Sequence, residues 1–311
     1  MVTDELKSTD LLTERIKLLR SGIGNTPVHL FSKLNTRPGV MLYGKKEWRQ
    51  LGGSVKARAA YYIFKSAIEK GLLNEDRILL DATSGNTGIA YASIGKELGI
   101  PVTLCMPENA SIERKEILES LGAQIILTPK FEGTDGAQQV AAKMAAQEPG
   151  KYFYADQYKN ENNWKSHYYS TAEEIISEVP DITHFVSGLG TSGTFMGTGR
   201  RLKEINPSIK IISLQPDSAM HALEGWKHME TAVVPAIYDS SLADENIEVS
   251  TEEAYDILKS TLKLEGLLLS PSSAANLAGA LKVADKITNG SIVTILPDNS
   301  DKYGDVIRKL L

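Results

Sequence analysis

From residue 77 onward, short apolar runs alternate with longer stretches in which apolar positions recur every three or four residues. The runs RILLDAT (77–83), PVTLCMP (101–107), AQIILTP (123–129) and KYFYAD (151–156) predict strands, and 86–99, 111–122 and 136–147 between them predict helices. The second of these helices is fully punctuated, with Ser111 as N-cap, Glu113 in its first turn and Gly122 just past its end. The pattern restarts with a strand in 183–190, a helix at 194–207, strands at 210–216 and 246–250, helices at 251–266 and 272–286, and a strand in 291–299. Strands alternating with helices of about a dozen residues predict βαβ units, parallel sheets and an α/β class. Residues 157–169, polar and without period, predict an irregular crossing between two domains. Residues 217–244 fit no period either, and so long a connection predicts a lid or substrate loop.

Composition narrows the function. A chain of 311 residues, 42% hydrophobic, can fill about two cores. A net charge of -5 with no long basic run excludes an electrostatic footprint for nucleic acid or an anionic membrane, which leaves a small molecule as the partner. The single cysteine, Cys105, lies inside an apolar strand and reads as a core residue. The N-terminal stretch is acidic and amphipathic, and no apolar run reaches the length of a membrane span, so a cytoplasmic protein is expected. His29, His167, His184 and His221 lack metal-ligand spacing; core or surface roles are expected for them, and no metal.

Four short segments carry candidate chemistry. In LGGSVKARAA (51–60), Lys56 falls in the first turn of a helix, where unpaired N–H groups already supply positive charge and a cation costs about 0.3–1 kcal/mol. A nitrogen held neutral or bound in an imine would escape that cost. GLGTSGT (188–194) follows a strand and opens a helix, a cradle for an anion. It matches the G-x-G-x-x-G fingerprint through Gly188, Gly190 and Gly193, with Asp217 as a candidate ribose partner, so an NAD-binding oxidoreductase is one reading. The hydroxyls of Thr191, Ser192 and Thr194 favour a terminal phosphate monoester instead. TSGNTG (83–88), at another strand-to-helix turn, suits a carboxylate. SPSSAAN (270–276) sets Ser272 and Ser273 at a helix start, one as the cap and the other free to face a ligand. An imine-forming lysine with a phosphate cradle points to pyridoxal 5'-phosphate.

These segments, in this order from GNTPVHL at 24 to PDNSDKY at 297–303, resemble the O-acetylserine sulfhydrylase and cystathionine β-synthase family, above all its B-type cysteine synthases. The resemblance implies a fold type II pyridoxal-phosphate enzyme of tryptophan synthase β-subunit-like architecture. Two open twisted α/β domains are then expected: a small one at 50–157, and a large one from 1–49 with 158–311, the cofactor lying between them. It implies Lys56 as the catalytic residue, joined to the cofactor as an internal aldimine. Asn86 would bond the ring oxygen, Gly190, Thr191, Ser192, Gly193 and Thr194 the phosphate, and Ser272 the pyridine nitrogen. Thr83, Ser84, Gly85, Thr87 and Gln157 would clamp the substrate carboxylate, and Lys227 would meet an anionic leaving group. The implied reaction makes L-cysteine from O-acetylserine or O-phosphoserine and sulfide through an α-aminoacrylate. Cystathionine formation from a thiol, or simple β-elimination, stays open on the same scaffold. A homodimer is implied. The family's usual aspartate after the lysine is Ala57 here, and a glycine of its serine turn is Ala274.

Overall fold

The computed structural model describes residues 2–311, and the side chains of residues 11–311. The strands are β1 (Val28–Leu30), β2 (Val40–Lys46), β3 (Ile78–Ala82), β4 (Val102–Pro107), β5 (Gln124–Thr128), β6 (Tyr152–Tyr154), β7 (Ile182–Gly188), β8 (Lys210–Pro216), β9 (Glu245–Val249) and β10 (Gly290–Leu296). The helices are α1 (Val2–Leu19), α2 (Lys56–Glu69), α3 (Asn86–Leu98), α4 (Ile112–Ser120), α5 (Gly133–Gln147), α6 (Glu161–Ser166), α7 (Ala172–Glu178), α8 (Gly193–Ile205), α9 (Thr251–Glu265), α10 (Pro271–Ala284) and α11 (Gly304–Leu310). The chain divides into two compact units, one of residues up to Gly24 with Lys56–Asn163, the other of Asn25–Val55 with Trp164–Leu311.

The first unit is built on a four-stranded parallel sheet, β5-β4-β3-β6. Every residue of β4 is buried, which is why it reads as one apolar run with no alternation: helices cover both faces of a parallel sheet. Ser111 caps α4 by accepting the Arg114 N–H, as its place before an apolar-periodic run predicts. The stretch through Gly24 was expected with the larger body, yet it belongs here. Leu12 and Ile16 are fully buried, and Arg15 donates to the Glu97 carbonyl at 2.6 Å. From β3 the chain moves outward through β4 to β5 and then returns to β6 on the other side. The C-terminal ends of β3 and β6 therefore flank a topological switch point, where open α/β sheets bind ligands.

The second unit holds a six-stranded sheet, β1-β2-β10-β7-β8-β9, parallel except for β1. Here β7 leads outward to β8 and β9, and β10 returns on its other side, so the switch point lies at the ends of β7 and β10. Helix α10 is buried along nearly its whole length, its alanines, Leu277, Gly279 and Val283 packing as core while Ser272, Ser273 and Asn276 spend their polar groups on hydrogen bonds. It begins at Pro271 with Ser270 as its cap, not at Ser272: the Ser270 hydroxyl accepts the Ser273 N–H at 3.1 Å, and Pro271 takes the first helical position, where a missing N–H costs nothing. Residues 217–239 form no helix or strand, in line with the loop expected there.

Residues 157–160 form a turn, as expected of an irregular crossing, but 161–169 are helical. Helix α6 runs directly into a π-turn, His167–Thr171, and on into α7. The π-turn lies against α8 at Gly197, where an added Cβ would collide with the Trp164 carbonyl oxygen and come within 2.8 Å of His167 Cβ and Tyr168 N. Gly197→Ala is therefore expected to destabilise the protein by about 1–3 kcal/mol. Gly199→Ala, which meets only the side chains of Ile211 and Leu242, should cost clearly less in the same denaturant titration.

Candidate functional site

At the end of β7 the backbone enters the glycine turn. Asn276 of α10 fixes the entry, its Oδ1 accepting the Gly188 N–H at 2.7 Å. A Cβ at Gly188 would run into the Trp226 ring, and one at Gly190 into the Gly225 carbonyl oxygen. The two glycines thus let the 223–228 loop pack directly on the turn, and the Lys227 N–H donates to the Leu189 carbonyl at 2.8 Å. This closes the route a dinucleotide needs, since the second glycine of that fingerprint must open to a pyrophosphate.

What remains open is the segment that starts α8. Ser192 is its N-cap, held at φ +69°, a conformation that costs a non-glycine residue about 1 kcal/mol or more. Its hydroxyl is buried without a hydrogen-bond partner. A strained backbone and an orphaned hydroxyl beside the unpaired N–H groups of a thirteen-residue helix fit a phosphate, which would take bonds from all of them. Thr191 and Gly193 flank Ser192 in that turn, both buried. Thr194 meets His167, its Oγ1 lying 3.3 Å from Nε2, while Nδ1 of the same ring lies 2.8 Å from Thr171 Oγ1. His167 is missed by sequence reasoning because the π-turn that swings it toward α8 has no linear signature.

Ser272 is buried in the first turn of α10. Its Oγ lies 3.2 Å from Ser270 Oγ and donates to Asp298 Oδ1 at 3.5 Å, while Ser273 Oγ donates to the Asp298 carbonyl at 2.6 Å. Asp298 lies just past the end of the returning strand β10, so the serine turn sits at the switch point beside β7. Lys227, half-buried, donates from Nζ to the Val233 carbonyl at 3.2 Å.

In the first unit, Lys56 is the first residue of α2, at the point where the chain enters the unit. The turn after β3 is built around Thr83, whose Oγ1 accepts the N–H groups of Gly85 (2.9 Å) and Gly88 (3.2 Å) and keeps its own proton to donate. Gly85 stands at φ +154° with the Arg114 side chain against it; a Cβ there would strike Arg114 Cδ. Ser84 and Asn86 are half-buried, and Asn86 opens α3. Thr87 donates to Gln157 Oε1 at 2.7 Å and Gln157 donates from Nε2 to the Ala82 carbonyl at 2.8 Å. Thr87 therefore spends its proton orienting Gln157, and the second Nε2 proton is what the pair can offer an anion. The structure brings Thr83–Thr87 and Gln157 together at the β3/β6 switch point.

Acidic groups cluster behind this turn. Burial pushes the Cys105 thiol up to about 11 and Asp81 up to about 7. Burial also raises the phenols of Tyr91, Tyr154 and Tyr158, with the charge of Asp81 adding to the shift.

Among known proteins, the family model for pyridoxal-phosphate dependent enzymes matches residues 19–298. A cysteine synthase of Aquifex aeolicus is 44% identical over 289 residues, covering 90% of this chain and 88% of that protein. An O-acetylserine dependent cystathionine beta-synthase of Bacillus subtilis is 35% identical over 288 residues, 90% of this chain and 94% of that one. The crystal structure of a cysteine synthase from Entamoeba histolytica superposes with a TM-score of 0.86 at 32% identity, covering 92% of this chain and 88% of that chain. The architecture is that of the fold type II enzymes. Matched from the end of α1 to the end of β10, the chain belongs to the pyridoxal-phosphate dependent enzymes.

Proposed function

We infer that this chain is a cysteine synthase, which replaces the β-substituent of an O-activated serine with sulfide to give L-cysteine. The observation that carries this reading is the left-handed Ser192 turn with its orphaned, buried hydroxyl, a receptor for a phosphate in a chain of this family. Pyridoxal phosphate, when bound, supplies a carbonyl for amine capture and an electron sink at the substrate Cα. The chain's own residues do the rest. Lys56 is the attachment point and then the base that moves the Cα proton. Gly190, Thr191, Ser192, Gly193 and Thr194 hold the phosphate, and Asn86 bonds the ring oxygen. Thr83, Ser84, Gly85 and the Thr87–Gln157 pair hold the substrate carboxylate at the α3 N-terminus, where a negative charge is favoured.

Ser272 bears on the choice of reaction. A hydroxyl facing the ring nitrogen leaves the electron sink weaker than a carboxylate would, which favours loss of a β-leaving group over transamination. O-acetylserine and O-phosphoserine both satisfy this chemistry, and the Lys227 cation supports the second. The Bacillus relative supports a further reading in which homocysteine takes the place of sulfide. Resemblance supports a homodimer and a cytoplasmic setting. Among the described residues no helix is long and apolar enough to cross a membrane.

Steady-state rates for O-acetylserine, O-phosphoserine and serine, each with sulfide or homocysteine, test the reading; cysteine formation from an O-activated serine is expected to dominate. Lys56→Ala should lower turnover by about 10²–10⁴-fold or more. Borohydride reduction and peptide mapping of the wild type should place the cofactor's mass on Lys56. Ser192→Ala removes no protein hydrogen bond, so thermal stability without cofactor should hold. Cofactor affinity should fall about tenfold to a hundredfold, the worth of one bond to a charged group. Unchanged affinity overturns the phosphate assignment.

A further inference from the structure

Asp81, one residue before the end of β3, is fully buried, and none of the roles above uses it. Its Oδ1 accepts the Ala82 N–H at 2.8 Å, while Oδ2 accepts the Tyr91 hydroxyl at 2.9 Å and the Gln157 N–H at 3.3 Å. Gln157 is then held on three further sides, by Ala82 O, by the Thr87 hydroxyl and by Asn163 Nδ2, which donates to the Gln157 carbonyl at 2.8 Å. One carboxylate thus joins the end of β3, helix α3 and the segment after β6, the three pieces that meet at the switch point of this sheet.

We propose that Asp81 is a positioning residue of the amino-substrate site, its anionic form holding Gln157 and the Thr83–Thr87 turn in register to receive the substrate carboxylate. This rests on the reading of Thr83–Thr87 and Gln157 as the carboxylate clamp. The groups facing Asp81 are Tyr91 from α3, Cys105 from β4, Tyr154 from β6, and Asp156 and Tyr158 after it; Asp135 of α5 faces Tyr158. Burial opposes ionisation, the three donors favour it, and the nearby Asp156 charge opposes it again. The balance leaves the carboxyl titrating at about 7. Below that pH the carboxyl loses the charge that strengthens the bonds from the Ala82 and Gln157 N–H groups, the Tyr91 hydroxyl can turn to accept its proton, and the brace on Gln157 slackens. Substrate affinity is thereby coupled to pH across the neutral range.

The test is the pH dependence of KM and kcat for O-acetylserine in the holoenzyme. Wild-type KM should fall as pH rises through about 7, with kcat changing less. Asp81→Asn should flatten that profile and raise KM about tenfold on its alkaline side, the worth of one brace hydrogen bond. Tyr91→Phe keeps the carboxylate but removes a donor to its anion, so the midpoint should move up by about one unit. Gln157→Leu tests the clamp itself and should raise KM at every pH. If it does not, the clamp reading and this proposal fall together. If it does while Asp81→Asn keeps the wild-type KM and slope, the role of Asp81 alone is overturned. Should Asp81→Asn not fold, an unmoved midpoint in Tyr91→Phe overturns it instead.

Discussion

A parallel sheet offers a ligand only one natural opening, where connections leave adjacent strands toward opposite sides and no crossover covers the strand ends. Each unit of this chain has one such place, between β3 and β6 in the first and between β7 and β10 in the second. Apart from Lys56 at the start of α2 and Lys227 in the loop after β8, the polar groups assigned to chemistry fall there: the Thr83–Thr87 turn and Gln157 follow β3 and β6, and the Gly188–Thr194 turn and Asp298 lie at the ends of β7 and β10. At both places a helix begins immediately, so unpaired N–H groups add to the side chains and make the opening a receptor for an anion. The strand order decides where binding occurs, and the turn residues decide what is bound.

Close approach of backbone to backbone shapes the second of these openings. Gly188 and Gly190 admit Trp226 and the Gly225 carbonyl, while Gly197 admits the π-turn. The side-chain faces of these glycines are thus taken up by packing the loop and the π-turn around the cradle, which leaves a ligand to backbone N–H groups and to the hydroxyl residues between them. A buried hydroxyl without a partner is costly, and a serine at φ +69° adds strain; both costs persist where a ligand offsets them.

The strands and helices were legible because both faces of a parallel strand are covered, giving unbroken apolar runs, and because the stretches between them keep a helical length and period, with Ser111 capping α4. The turn chemistry was legible for the same reason: TSGNTG and GLGTSGT interrupt that pattern at strand ends. Other features were not, β1, β2 and the allegiance of the N-terminal stretch among them. The helical course of 161–178 was hidden because its polar, asparagine-rich start looks like loop, and the π-turn changes the period midway. The cap of α10 is expected at Ser272 or Ser273 and lies two or three residues earlier, where the Ser270-Pro271 pair marks a helix start. Asp81, an acid inside the run RILLDAT, read as part of a strand, and only the fold brings Tyr91 and Gln157 to it.

Two departures from the family pattern bear on whether the site is intact. Ala57 replaces an aspartate and is buried in the first turn of α2. A carboxylate at that depth would need partners to offset its desolvation, whereas a methyl group needs none. An aspartate would have added a negative charge in the first turn, where the helix dipole favours one. Ala274 is fully buried in the apolar core of the second unit. Neither change removes a hydroxyl, an amide or the amine from the assigned set. A residue that costs the helix free energy and is nonetheless present at the start of α2 is best explained by the chemistry of its nitrogen.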